Sequence, residues 1–319
     1  MTDIVGQITG AALGACVGSF LNVVIWRLPR GAFLTDGKRS ICPHCRAPIP
    51  WYRNLPILTW LLQRGRAACC GRTIAVRYLL VEALTAVLFW ALVRWPPSHL
   101  SAWPPNWDGT GAFVLHAFFV SILVACTFID IDHQILPDRL TKPGMVVGVA
   151  GALLVPAAYG VLAVPSVSPA NRHLLFSVVG LLAGFGSTWA VRWFATALFR
   201  KEAMGRGDVK FMGAIGAFLG WQSVLLTFFL GCVFGAFGGL LHRAITGHAY
   251  ICFGPFLAAG ALTALFFGGQ VTVFLLETWP RWQESNPMAP VLTLSASAVA
   301  LIALFFIIRR GRNAQPLDP

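Results

Sequence analysis

The chain has 319 residues, 57% of them hydrophobic and only 11% charged, with a mean hydropathy of +0.71. Soluble domains carry roughly 25% charged residues, so this chain cannot cover a water-facing surface, and its apolar runs of about 18 or more residues mark an all-α polytopic membrane protein. The net charge of +12 gathers in particular loops and no RNA or DNA module is present, which assigns the charge to membrane topology and excludes a nucleic-acid-binding class.

Nine apolar segments are predicted in chain order: 4–26, 78–95, 112–129, 143–164, 173–198, a short 211–220, then 222–241, 253–275 and 290–308. The count of transmembrane helices is thus about eight to nine. Segment 211–220 is too short for an ordinary span and is expected as a broken or re-entrant helix buried in protein. The first run has no basic region before Ile4, so an uncleaved first helix is expected rather than a signal peptide.

Charge orients these segments. Residues 27–77 hold ten Lys and Arg against one acid, Asp36, and such a short basic loop stays in the cytoplasm. Loops 96–111, 165–172 and 276–289 are expected outside, with Arg94 a mild exception. Segments 130–142 and 199–210 and the tail with Arg309, Arg310 and Arg312 are expected inside. Trp51, Trp60, Trp95, Trp103 and Trp107 fall in loops or near span ends, where indole rings prefer the interface.

Acids at a membrane edge are costly and call for a function. Asp130 and Asp132 end the third segment, and Leu136-Pro137-Asp138 follows, the proline ending helical continuity. Asp208 lies in Gly205-Arg206-Gly207-Asp208-Val209-Lys210, at the start of a helix, where the dipole favours a carboxylate. Two acids on the same membrane face that meet share one proton, the arrangement of aspartic proteases. Other roles stay open at this level. Asp208 could cap its helix, Asp130 could pair with Arg139 or Lys142, and Asp132, Asp138 and Glu202 are also available. Lys210 is a candidate partner or a topology anchor. A proton-coupled transporter is the rival class, but it needs acids near the bilayer midplane.

Gly205-x-Gly-Asp208, within Met204 to Lys210, resembles the signature of the membrane aspartic proteases that include prepilin peptidases. Asp130 to Leu140 resembles the family's first aspartate block. Gly18-Ser19-Phe20-Leu21-Asn22-Val23-Val24 with Arg27-Leu28-Pro29 resembles its first helix. Asn54-Leu55-Pro56, Arg77 to Glu82 and Phe253-Gly254-Pro255-Phe256 match further pieces, so the resemblance runs over roughly 10–275. It implies the long, bifunctional enzyme of the bacterial inner membrane. Such an enzyme removes the basic leader from type IV prepilins or type II secretion pseudopilins. It then methylates the new N-terminal residue with S-adenosylmethionine. By position, the resemblance makes Asp130 and Asp208 the catalytic pair, with Gly205, Gly207, Lys210, Asp132 and Asp138 in support. It also implies a division into 1–100, bearing the methyltransferase-associated region with a cysteine loop at about 30–77, a peptidase domain at 111–275, and an extra helix and tail at 276–319.

Cys42-Pro43-His44-Cys45 and Cys69-Cys70 lie in the basic loop. The cytoplasm is reducing, so tetrahedral zinc is expected there rather than a disulfide. The family carries Cys-x-x-Cys twice, whereas here Ala67 occupies the third position and Cys69 sits beside Cys70. Adjacent cysteines rarely serve one metal well, so three outcomes are open: Cys69 supplies the ligand, His44 or water fills the fourth position, or zinc is weak or absent. Gly65 and Arg66 align with a glycine–lysine step tied by resemblance to methylation, and Glu82 is a further candidate for that activity or merely a partner for Arg77. A peptidase-only protein with a degenerate cysteine loop is the alternative within the family.

Overall fold

The computed structural model describes residues 2–31, 42, 44–95, 107–159, 168–200, 202, 204–246, 252–286, 288 and 295. Helices dominate these residues: α1 is Thr2–Arg27, α2 the short Leu58–Leu62, α3 Val76–Arg94, α4 Trp107–His133 and α5 Asp138–Leu154. They continue with α6 at Pro169–Phe199, α7 at Arg206–Thr246, α8 at Gly254–Val273 and α9 at Trp279–Ser285. Among the described residues six helices (α1, α3, α4, α6, α7 and α8) are long and apolar enough to cross a membrane, and the protein is a multi-pass, all-α membrane protein. The segment expected at 290–308 lies outside the described residues.

Residues Met1–Gly268 form one compact unit and Gly269–Pro319 a second. In the first unit, α4 is the most buried of the six candidate spans, with Phe119, Val120, Leu123, Cys126 and Ile129 shielded on all sides. The Phe119 ring stacks on Phe218 of α7 with centroids 4.6 Å apart. In the second unit, a π-helical turn at Phe274–Thr278 runs into α9, where Arg281 pairs with Glu277.

Small residues set the helix spacing. Apolar helices in lipid gain little from hydrophobic burial against each other, so close backbone packing does the work. On α1, a Cβ added at Gly10, Gly14 or Gly18 would come within 2.8, 2.6 and 2.7 Å of Val93, Thr85 and Glu82 of α3. On α6 and α7, Gly180 and Gly216 meet backbone to backbone, and Ser177 Oγ donates to the Ala217 carbonyl at 2.7 Å. The expected break after 211–220 falls inside α7 at Gly220, whose φ of +78° is open to glycine at no steric cost.

The turn between α4 and α5 fixes the chemistry described below. Gln134 at φ +56° closes α4, its N–H donating to the Asp130 carbonyl at 2.8 Å. Pro137 then caps α5, which begins at Asp138, five residues before the expected start, and carries Pro143 inside it.

Candidate active site and cysteine centre

Asp130 is the fourth residue from the end of α4, and Asp208 is the third residue of α7. Asp130 is buried, and its Oδ2 accepts the Gly254 N–H at 3.0 Å, at the start of α8. A Cβ on Gly254 would sit 2.6 Å from that oxygen, so only glycine lets the α8 backbone approach so closely. The Asp208 Oδ2 accepts the Gly205 N–H at 3.2 Å, the reach-back bond that an acid in a first helical turn makes. Helix capping is therefore one thing Asp208 does. Its carboxylate also lies within electrostatic reach of Asp130. Cys252, just before α8, senses both acids; burial and the Asp130 charge push its thiol up. Gly207 explains how α7 comes so near: a Cβ there would lie 2.8 Å from that of Leu136 in the α4–α5 turn.

The other three acids left open by the sequence have cationic partners. Asp132 pairs with Arg77 of α3, which also donates to the Phe128 carbonyl at 3.2 Å and covers the Phe128 ring. Asp138 is held by Lys210 at 2.6 Å and Lys142 at 2.9 Å, and these two ammonium groups keep its carboxyl below the usual carboxylate range. Glu202 pairs with Arg192 at 3.0 Å. Of the five acids open at the sequence level, three are thus bound to Lys or Arg. Asp130 and Asp208 are held by backbone amides. Lys142, a possible partner for Asp130 from spacing, bonds to Asp138.

The cysteines gather in one place. The four Sγ atoms of Cys42, Cys45, Cys69 and Cys70 all lie within 4.8 Å of one another, with Cys45 to Cys69 at 3.3 Å and Cys42 to Cys70 at 3.8 Å. A tetrahedron with metal–sulfur bonds of about 2.3 Å has edges of about 3.8 Å, so the set can hold a metal ion. The backbone shows why. The Cys42 N–H donates to the Ala47 carbonyl and the Arg46 N–H to the Cys42 carbonyl. Likewise the Ala67 N–H donates to the Arg72 carbonyl and the Gly71 N–H to the Ala67 carbonyl. Arg46 and Gly71 both have positive φ, +58° and +69°. Ala67 is thus the backbone counterpart of Cys42, and Cys69, the counterpart of His44, brings in the fourth sulfur. Adjacency of Cys69 and Cys70 is no obstacle in this turn. The amides of Cys45 and His44 bring the Cys42 thiol down to about 6. Side-chain hydrogen bonding with Cys45 and then Cys42 favours the protonated Cys69 and pushes its thiol up to about 12.

Gly65 and Arg66 sit at the base of the second turn. Gly65 has φ +69° and packs on Trp60, while Arg66 bridges to Thr73. Glu82 is buried in α3, and its Oε2 accepts the Ile57 N–H at 2.7 Å. The structure adds Arg77, Gly254, Ile57 and Ser19 to the residues that sequence reasoning singled out for these roles. The sequence signal that pointed toward Ile57 and Ser19 was a glutamate, Glu82, within an apolar run.

Fold and site together define a class: an all-α polytopic membrane protein with two amide-held carboxylates near one end of the bundle and a four-cysteine centre in a loop. Residues 12–95 match the bacterial peptidase A24 N-terminal domain, and residues 117–240 match the type IV leader peptidase family. A prepilin leader peptidase/N-methyltransferase of Aeromonas hydrophila is 36% identical over 85% of this chain and 91% of its own length. Proteins of the same description from Myxococcus xanthus (39% identical, 74% of this chain and 63% of its own) and Neisseria gonorrhoeae (36%, 84% and 92%) are also similar. No solved structure matches. The chain belongs to the type IV leader peptidase family.

Proposed function

We propose that this protein removes the basic leader from type IV prepilins or type II secretion pseudopilins and then N-methylates the exposed residue. Asp130 and Asp208 form the catalytic pair. The observation that carries the peptidase reading is that backbone amides hold Asp130 and Asp208 at helix ends brought close where Gly207 meets Leu136, while Asp132, Asp138 and Glu202 are each bonded to Lys or Arg. An ion-paired carboxylate already has its partner, whereas two carboxylates that meet share a proton. One then takes a proton from water, and the protonated one donates to the scissile carbonyl oxygen; the water oxygen attacks the carbonyl carbon. The proton returns to the leaving amine. Gly254 and Gly205 hold the two carboxylates through their N–H groups.

The location is the bacterial inner membrane, with the aspartates facing the cytoplasm. The basic loop 27–77 supports this orientation, because Lys and Arg in short loops favour the cytoplasmic side. The substrate's apolar stem would lie in the bilayer while its leader stays in the cytoplasm, bringing the scissile bond to the aspartates. Both acids lie near helix ends, which favours this reading over a transporter with midplane acids. Cys42, Cys45, Cys69 and Cys70 would hold a structural zinc that ties down a loop with little core of its own. S-adenosylmethionine is the methyl donor. Asp130→Asn and Asp208→Asn are each expected to abolish leader removal from a co-expressed prepilin while the protein still inserts. Full processing by either variant would refute the pair.

A further inference from the structure

A pocket of about 390 Å³ opens beside α1, lined by Cys16, Ser19, Phe20 and Val23 of one helix face and by Asn54, Leu55 and Pro56 of the loop. Ile57, next in sequence to the lining Pro56, bonds to Glu82 of α3. Glu82 is 9% exposed, its carboxylate accepts the Ile57 N–H at 2.7 Å, and the Ser19 side chain lies beside it. No Lys or Arg is bonded to Glu82 among the described residues. A carboxylate at this depth without a cation is expensive. The loop is also bent to serve it: Ile57 has φ +61°, a conformation that costs a β-branched residue on the order of 1–3 kcal/mol, and its N–H points at Glu82. The charge asks for a cation. The lining of Phe20, Val23, Leu55 and Pro56 asks for an apolar group attached to it.

We propose that this pocket receives the first residue of the cleaved pilin, its α-ammonium group on Ser19 and its apolar side chain against α1. This rests on the methyl-transfer half of the function proposed above. Ser19 Oγ takes a proton from the ammonium and passes its own to the Glu82 carboxylate. The freed nitrogen lone pair attacks the methyl carbon of S-adenosylmethionine, and the carbon–sulfur bond breaks with its electrons left on sulfur. The products are the N-methylated, positively charged amine and a neutral thioether, with one proton on Glu82. Glu82 acts through Ser19 and is a positioning residue. The pocket is placed for such a hand-over. Glu82 follows Arg77 by about 7.5 Å along α3, and Arg77 is bonded to Asp132, two residues from Asp130.

The test uses full-length protein in nanodiscs, S-adenosylmethionine, and a peptide that already begins at the mature N-terminal phenylalanine, so that cleavage is not required. Glu82→Gln keeps an oxygen for the Ile57 N–H. It is expected to lower the kcat of methylation by about 100-fold, the lower bound of a lost acid–base step, with leader cleavage of intact prepilin unchanged. Val23→Trp, which fills the pocket, is expected to raise the KM for the peptide at least tenfold and leave that for S-adenosylmethionine unchanged. Unaltered methylation in both variants overturns the assignment. So does a rise in the KM for S-adenosylmethionine alone, or equal loss of cleavage and methylation in Glu82→Gln. If the parent protein cleaves but never methylates, the methyl-transfer reading itself has failed, which is a distinguishable result.

Discussion

Gly254→Ala is a sharp probe of the aspartate geometry, because the change adds one methyl group and no charge. The new Cβ would sit 2.6 Å from Asp130 Oδ2, 3.1 Å from its Cγ and 3.3 Å from its Cβ. An ordinary contact begins at 3.4 Å, so the carboxylate must move by most of an ångström. The Asp130 side chain is 6% exposed and has little room to move. Its hydrogen bond to the Gly254 amide is lost or lengthened, at a cost of about 1.5–3 kcal/mol for a bond to a charged group. A displacement of roughly 1 Å at a reacting group costs about 100-fold in rate, or about 2.7 kcal/mol of transition-state stabilisation. We therefore expect kcat/KM for prepilin cleavage to fall about 100-fold, read by the gel shift of leader removal in detergent micelles. Methylation of a pre-cleaved peptide should be unaffected. Gly235→Ala, whose Cβ would meet Phe253 at an ordinary 3.6 Å, is the control and should retain full activity. If Gly254→Ala cleaves within about threefold of the parent protein, the amide does not position Asp130.

Three other outcomes are expected. Lys210→Met should lower the melting temperature at neutral pH, and the difference from the parent protein should close in acid. Asp138 has its carboxyl held low by Lys210 and then Lys142, so its stabilisation is full above the ordinary value of about 3.9 and disappears as pH falls through the depressed one; a gap that persists at pH 2 would contradict this. Cys69→Ser should reduce bound zinc, measured by elemental analysis, and adding Ala67→Cys to that variant should restore it, because Ala67 occupies the backbone position of Cys42; full zinc in Cys69→Ser would show that Cys69 is not a ligand. Arg77→Ala should slow cleavage and lower the melting temperature together, since it leaves Asp132 without its partner and removes the bond to the Phe128 carbonyl; unchanged cleavage would separate α3 from the aspartate site.

Much of this was legible in the sequence, and the illegible parts share a cause. Apolar length gave the helices, and the broken segment at 211–220 proved to be one arm of α7, ended by Gly220. The apolar segment was expected from 143, whereas α5 begins five residues earlier, after Pro137, in polar sequence that hydropathy does not register. Among the acids, spacing left five candidates. What separates them is pairing across the fold: Asp132 with Arg77, Asp138 with Lys210 and Glu202 with Arg192. Arg77 and Asp132 are far apart in sequence and share no local pattern, so the selection is a tertiary fact. The same holds for Gly254, whose neighbour Pro255 announces a helix start but not the carboxylate waiting at it. For Cys69 the sequence left three outcomes open, and the cluster brings its sulfur in with the others through a turn that has Gly71 at φ +69°.

The two cysteine turns carry one hydrogen-bonding scheme on different side chains. The fourth sulfur comes from Cys69, two places beyond the position that Cys42 holds in the first turn, while the backbone scheme is the same. The same turn can thus present a sulfur to the cluster from a different position. Such a centre can drift in sequence while its metal-binding shape is preserved. Its kinship with paired Cys-x-x-Cys loops is then written in amide bonds rather than in residue letters.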